Sequence, residues 1–247
     1  MGFRLKRKKG WLFTGVIVLA IIVSCTIYIN DYYHALPDAL EVLSSPPESV
    51  TVVEEKNGQI VFLPEEVKAG LIFYPGGKVQ CEAYAPLLAK LAEEGILCVL
   101  LKMPGNLAVL DMNAAKGVTE QFSEVDSWYI GGHSLGGSMA AAYLDRHADV
   151  IDGLVLLAAY STADLTDNRV DVISVYGTED EVLNTEKYEV YRGNLPEDVV
   201  EVVVNGGNHA WFGAYGVQKG DGEARISREE QMEQTVDAIV RMVLDKE

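Results

Sequence analysis

The residues from Trp128 to Gly137 read Trp-Tyr-Ile-Gly-Gly-His-Ser-Leu-Gly-Gly, and within them Gly132-His133-Ser134-Leu135-Gly136 is a G-x-S-x-G run. It stands where an apolar strand gives way to the small-residue helix Ser138-Met139-Ala140-Ala141-Ala142. A serine at so sharp a strand-to-helix turn takes strained backbone angles, and glycine is needed two residues before and two after it so that strand and helix can pass. The turn lifts the Ser134 hydroxyl above the sheet edge. It also puts the Leu135 N–H at a helix N-terminus, where unpaired amides and the helix dipole favour a developing oxyanion. A Gly-rich turn whose serine only caps a helix is the plain alternative. The strand before it and the helix after it favour a nucleophile.

Such a serine needs an acid and a base that follow it in the chain, each just past the end of a later strand. Two histidines lie downstream. His147 falls about three turns along the serine's own helix and points away from the elbow. His209 follows the β-prone run 199–204 through Asn205-Gly206-Gly207-Asn208 and is the candidate base. Between serine and base, the strand 172–176 runs into Gly177-Thr178-Glu179-Asp180-Glu181. Asp180 is the candidate acid, because a short side chain in a G-x-x-D turn reaches back to a ring. Glu179 and Glu181 read as solvated neighbours, with Asp164 and Asp167 in reserve. A second oxyanion donor is expected after the apolar strand 70–74, in Pro75-Gly76-Gly77-Lys78. There the Gly77 N–H is the first choice and Lys78 the next. No Walker pattern surrounds Lys78, no His/Cys cluster suggests a metal and no G-x-G-x-x-G suggests a dinucleotide, so no cofactor is expected.

Assembled in this order, residues 50–245 resemble the α/β-hydrolase superfamily. More narrowly, three segments are similar to a group of bacterial membrane-anchored α/β hydrolases of undefined substrate. These are the strand ending in Tyr74-Pro75-Gly76-Gly77-Lys78-Val79, the run Met103-Pro104-Gly105-Asn106-Leu107-Ala108-Val109-Leu110, and Gly206-Gly207-Asn208-His209-Ala210-Trp211-Phe212-Gly213. The resemblance implies Ser134 as nucleophile, Asp180 as orienting acid and His209 as base. Pro75 stands where many lipases and esterases of the superfamily carry an oxyanion-loop histidine. The implied activity is that of a serine hydrolase, foremost a carboxylesterase taking small or short-chain esters through an acyl-enzyme. An acyltransferase or a peptidase would use the same residues, whereas a non-catalytic surface binding protein would keep the fold without needing them.

The rest of the chain agrees with an α/β-hydrolase fold built on a mainly parallel sheet flanked by helices. An antiparallel pair at 50–53 and 59–63 brackets Asn57-Gly58, a strong hairpin signal. Strands near 70–74, 96–101, 128–131, 153–157, 172–176 and 199–204 then alternate with helices, the last from Ser227 to Leu244. Their continuous Val/Ile/Leu runs imply burial on both faces. About a dozen residues separate the fourth and fifth of these strands, which leaves no room for an inserted cap. The stretch from Trp211 to Arg225 either covers the site, with Trp211, Phe212 and Tyr215 as a possible acyl pocket, or is an irregular surface loop.

The N-terminus reads as a separate device. Arg4, Lys6, Arg7, Lys8 and Lys9 lie in a basic tail at 1–10, followed by an uncharged, largely apolar stretch at 11–29. At 1.5 Å per residue that stretch is roughly 28 Å long, enough to cross a bilayer core. The basic tail places it as a signal anchor with the 50–247 domain on the extracytoplasmic face. Cleavage before Cys25, in the lipobox-like Ile22-Val23-Ser24-Cys25, is the rival reading and leaves a lipidated tether. Residues 30–49, with Pro37, Pro46 and Pro47, read as a stalk. The net charge of −17 becomes −22 without the first ten residues, which argues against a nucleic-acid partner. Of the three cysteines, Cys81 and Cys98 allow a bridge that their spacing does not itself support.

Overall fold

The computed structural model describes residues 2–167 and 169–245, with the side chains of 2–13 and 15 outside the described set. The chain divides into two units, Met1–Tyr32 and Tyr33–Glu247. The first is one helix, α1 (Gly2–Asn30), whose apolar side chains from Val16 to Ile29 are exposed. Among the described residues no helix is long and apolar enough to cross a membrane. The side chains of the basic tail, and of the first residues of the 11–29 stretch, lie outside the described residues.

The second unit opens with α2 (Pro37–Ser44), then β1 (Val50–Glu54), β2 (Ile60–Pro64), β3 (Ala69–Tyr74), α3 (Ala85–Glu93) and β4 (Ile96–Leu100). It continues through α4 (Val118–Gln121), β5 (Trp128–His133), α5 (Leu135–Leu144), β6 (Gly153–Leu157) and β7 (Asp171–Gly177). It ends with α6 (Thr185–Arg192), β8 (Val200–Val204) and α7 (Arg228–Leu244). The strands form one sheet in the order β1-β2-β4-β3-β5-β6-β7-β8. The first two pairings are antiparallel, β1 with β2 and β2 with β4, and the remaining five are parallel. The opening hairpin turns at Gly58, whose φ of 82° glycine tolerates without cost.

Side chains on β3 alternate between two cores. Leu71 and Phe73 join Leu88 of α3 and Ile239 of α7 on one face, while Ile72 and Tyr74 join Ala140 and Leu144 of α5 on the other. This two-sided burial explains why the central strands read as unbroken apolar runs. Among the described residues 158–170 contain no helix, in keeping with the absence of a cap at that position. α6 has no apolar stripe to betray it. Only Tyr188 is buried there, and the helix is fixed by Asn184, whose side chain accepts from the Lys187 N–H.

One open possibility is closed and one expectation needs correction. Cys81 and Cys98 are not bridged; both are buried free thiols, near Glu82 and the Ile96 carbonyl respectively. Residues 33–49 are not a stalk, since Pro37 starts α2 rather than breaking the chain, and Ala39 is fully buried. Before that helix the backbone is tied down. The Tyr33 N–H donates to Lys78 O (2.7 Å), the Gln80 N–H to Tyr33 O (2.9 Å) and the Leu36 N–H to Ala214 O (2.8 Å). The Ala35 N–H donates to Gln80 Oε1. All but the last of these bonds are made by main-chain atoms alone and leave no trace in residue type.

A chain beginning at Tyr33 should therefore keep the stability of the second unit, whereas one beginning at Val50 loses these bonds and the burial of α2. Thermal melts followed by circular dichroism should place the shorter chain lower by on the order of 10 °C, from a loss of a few kcal/mol. Equal midpoints would restore the stalk reading.

Candidate active site

Ser134 follows β5 directly and has φ 53° and ψ −121°, a conformation that costs free energy in a non-glycine residue. It is held there from both sides. Its N–H donates to Leu157 O at the end of β6, and its carbonyl accepts the first helical bond of α5 from Ser138. A Cβ at Gly136 would lie 2.3 Å from Tyr74 O, and one at Gly132 would lie 2.5 Å from the same oxygen. Only glycine lets the elbow pass this close to the end of β3.

The loops after β7 and β8 are joined edge to edge. The Thr178 N–H donates to Val204 O and the Glu179 N–H to Gly207 O, while the Gly206 N–H donates to Thr178 Oγ1. This zipper brings Asp180 to His209, where the ring Nδ1 lies 2.8 Å from Asp180 Oδ2 with both side chains almost fully buried. The other carboxylate oxygen accepts from the Val182 and Leu183 N–H groups at 2.9 and 2.8 Å. A buried carboxylate satisfied in this way is held in one rotamer. With Nδ1–H donating to Asp180, the lone pair of Nε2 is left for an incoming proton.

Among the described residues neither the buried His209 Nε2 nor the Ser134 hydroxyl makes a hydrogen bond within the protein. The elbow and the base nevertheless pack together, because the ring of His133 is 4.5 Å from that of His209. Gly77 and Leu135 are also brought together, since a Cβ at Gly77 would lie 2.9 Å from Leu135 Cδ2. Among the described residues neither of their N–H groups has an acceptor within the protein, whereas the Lys78 N–H is spent on Asn106 O at 2.7 Å. Of the two amides weighed after β3, only Gly77 is therefore free to donate. Asp164 is bound up with its neighbour Thr166, and Glu179 pairs with Arg225 at 3.2 Å. His147 stacks on Tyr143 at 3.9 Å and lies in the turn past the end of α5, rather than along that helix.

Sequence reasoning missed the groups that hold His209. Asp221 accepts from the His209 N–H through Oδ1 (3.2 Å) and from the Ala210 N–H through Oδ2 (2.8 Å). Gln231 on α7 accepts from the Asn208 N–H and donates to its carbonyl. Their separations of 12 and 23 residues from their partners follow no local pattern that a sequence could display. In the Trp211–Arg225 stretch Phe212 and Tyr215 are buried, with rings 5.7 and 6.4 Å from His133, and Trp211 is half-buried.

The alpha/beta hydrolase family matches residues 70–233, from β3 into α7. This chain belongs to it. Solved structures agree in fold at low identity. A predicted CIB-like hydrolase from Thermoplasma acidophilum is 16% identical, with a TM-score of 0.52 over 77% of this chain and 98% of that one. Est1E from Butyrivibrio proteoclasticus is 14% identical, with a TM-score of 0.57 over 79% and 99%. Its structure with ferulic acid bound gives 0.58 over 79% and 97%, again at 14% identity. No protein of curated function matches the sequence.

Replacing Asp221 by Ala leaves two backbone N–H groups at the base without acceptors. Stability should fall by about 1–3 kcal/mol. With His209 free to drift, turnover of a model ester should fall by roughly ten- to a hundredfold. Urea midpoints and steady-state rates on the same preparation check both, and an unchanged rate would separate Asp221 from the base.

Proposed function

We propose that this chain is a serine hydrolase, foremost a carboxylesterase of small or short-chain esters. The observation that carries the reading is the buried Asp180–His209 bond, held against the strained Ser134 elbow. In the proposed cycle His209 takes the Ser134 proton as the hydroxyl attacks the ester carbonyl. The negative charge moves to the carbonyl oxygen and is met by the Gly77 and Leu135 amides, both without other acceptors among the described residues. His209 then gives the proton to the departing alcohol. Water, deprotonated by the same ring, releases the acid and restores Ser134.

Changing Ser134 or His209 to Ala should each lower kcat by several orders of magnitude, with the double variant scarcely worse, because the groups act as one unit. Asp180→Asn should be milder. Labelling by a fluorophosphonate probe should disappear with Ser134→Ala. A variant that still hydrolyses esters and labels would displace Ser134 from the role. With no helix among the described residues between β6 and β7, and with Phe212 and Tyr215 buried, long acyl chains find little surface to bury. kcat/KM on a graded ester panel should therefore favour roughly two to six acyl carbons, each methylene being worth at most ~0.8 kcal/mol. A steady rise to twelve carbons would overturn the open-site reading, and transfer to an added alcohol in place of hydrolysis would favour an acyltransferase.

We further propose that α1 tethers the domain to the extracytoplasmic face of a membrane. The five basic residues before position 10 and the exposed apolar side chains from Val16 to Ile29 support this. The full-length protein should stay with membranes through carbonate extraction, and its domain should be digested by protease added to intact protoplasts or spheroplasts. Cys25→Ala should leave that unchanged. Release of this variant would favour a lipid-modified Cys25.

A further inference from the structure

His133 and Tyr84 are buried polar groups that the proposed cycle does not use, and they lie between its two halves. Tyr84 ends the short turn Cys81–Tyr84 and is fully buried. Its hydroxyl accepts from the Gly76 N–H at 3.0 Å and lies 2.8 Å from His133 Nδ1. The fit around this hydroxyl is tight. A Cβ at Gly76 would come within 2.6 Å of Tyr84 Oη and 2.8 Å of His133 Nδ1. One oxygen thus touches both the turn that carries Gly77 and the residue that precedes Ser134.

Counting protons fixes the direction. The hydroxyl has one proton to give and already accepts from Gly76. Donating that proton to His133 Nδ1 leaves fewer buried groups unpaired than the reverse arrangement, which strands both the hydroxyl proton and the lone pair of Nε2. His133 is then a neutral ring protonated on Nε2. Burial and, after it, the charge of His209 push its pKa well below the ordinary histidine range. The other groups packed on it are Tyr84, Phe212 and Tyr215, and burial holds both tyrosine hydroxyls protonated. The His209 imidazolium formed during attack therefore meets an uncharged neighbour at 4.5 Å.

We propose that Tyr84 and His133 are positioning residues. In this role one hydroxyl sets both the Gly76–Gly77 oxyanion turn and the ring on which the base rests. The proposal rests on the reading of Ser134, His209 and Gly77 given above.

Tyr84→Phe keeps the ring and removes only the hydroxyl. With p-nitrophenyl acetate as probe, kcat should fall roughly ten- to a hundredfold while KM stays within about threefold. The affinity of phenylboronic acid, whose adduct with the serine fills the oxyanion site, should fall by a similar factor. His133→Leu should lose as much, and joining it to Tyr84→Phe should add little. His133→Asn, whose amide oxygen can accept near the place of Nδ1, should recover most of the rate. That recovery and the boronate affinity are readouts that loss of packing alone does not move.

The proposal is overturned by a Tyr84→Phe rate within twofold of the native chain, by unchanged boronate binding, or by equal losses in His133→Asn and His133→Leu. Should Tyr84→Phe fail to fold, the two His133 variants decide. The fluorophosphonate probe keeps the two readings apart. A native chain that does not label overturns both, whereas a native chain that labels at Ser134 and a Tyr84→Phe variant that labels as fast overturn only this one.

Discussion

A carboxylate taken out of water is stable in its charged form only where its lone pairs are used. Asp180 meets that requirement with two backbone N–H groups on one oxygen and the His209 ring on the other. The arrangement demands that the loops after two neighbouring parallel strands be held in register to a fraction of an ångström. The zipper between residues 177–179 and 204–207 supplies that register. It arises from the sheet order, which makes β7 and β8 adjacent, and from Gly177, where a Cβ would fall 2.1 Å from Gly207 O. The loops that carry Ser134, Gly77 and His209 then lie at one end of one sheet, past the C-terminal ends of its parallel strands.

That edge is also where the backbone is strained. The four non-glycine residues with positive φ among the described residues are Lys78, Asn106, Ser134 and Ala158. They follow β3, β4, β5 and β6 respectively, all at the C-terminal ends of parallel strands. Two of them are coupled, because the Lys78 N–H donates to Asn106 O. Strained residues persist where surrounding bonds over-determine them. Here the Ser134 and Ala158 N–H groups donate to the neighbouring strands, at Leu157 O and Val175 O, and Lys78 to the neighbouring loop, so each strained residue is held from the next element of the sheet.

What the sequence displayed and what it hid divide along a physical line. Ser134 was legible because its turn needs glycines at fixed offsets, and His209 because a β-prone run followed by Asn-Gly-Gly-Asn marks a strand end. Asp180 was legible once its strand was found. The strands announced themselves because both faces of the central sheet are covered. Asp221, Gln231 and Tyr84 were invisible, since each acts on a partner chosen by the tertiary fold. The bounds of α6 were not readable because its single buried side chain makes no stripe. Residues 33–49 were misread because prolines resemble a linker, whereas backbone hydrogen bonds decide their place.

Those backbone bonds of residues 33–36 have a mechanical meaning. The segment leaves α1 and immediately contacts the turn at Lys78–Gln80 and the loop at Ala214, with the Lys219 N–H donating to the Tyr33 hydroxyl as well. Tension applied to the chain ahead of Tyr33 is borne by these contacts before it reaches any strand of the sheet. The loops under load first are the one that carries Gly77 and the one that follows His209. A pull on the N-terminal side of the domain would therefore act on the loops of the proposed site before it acts on the sheet.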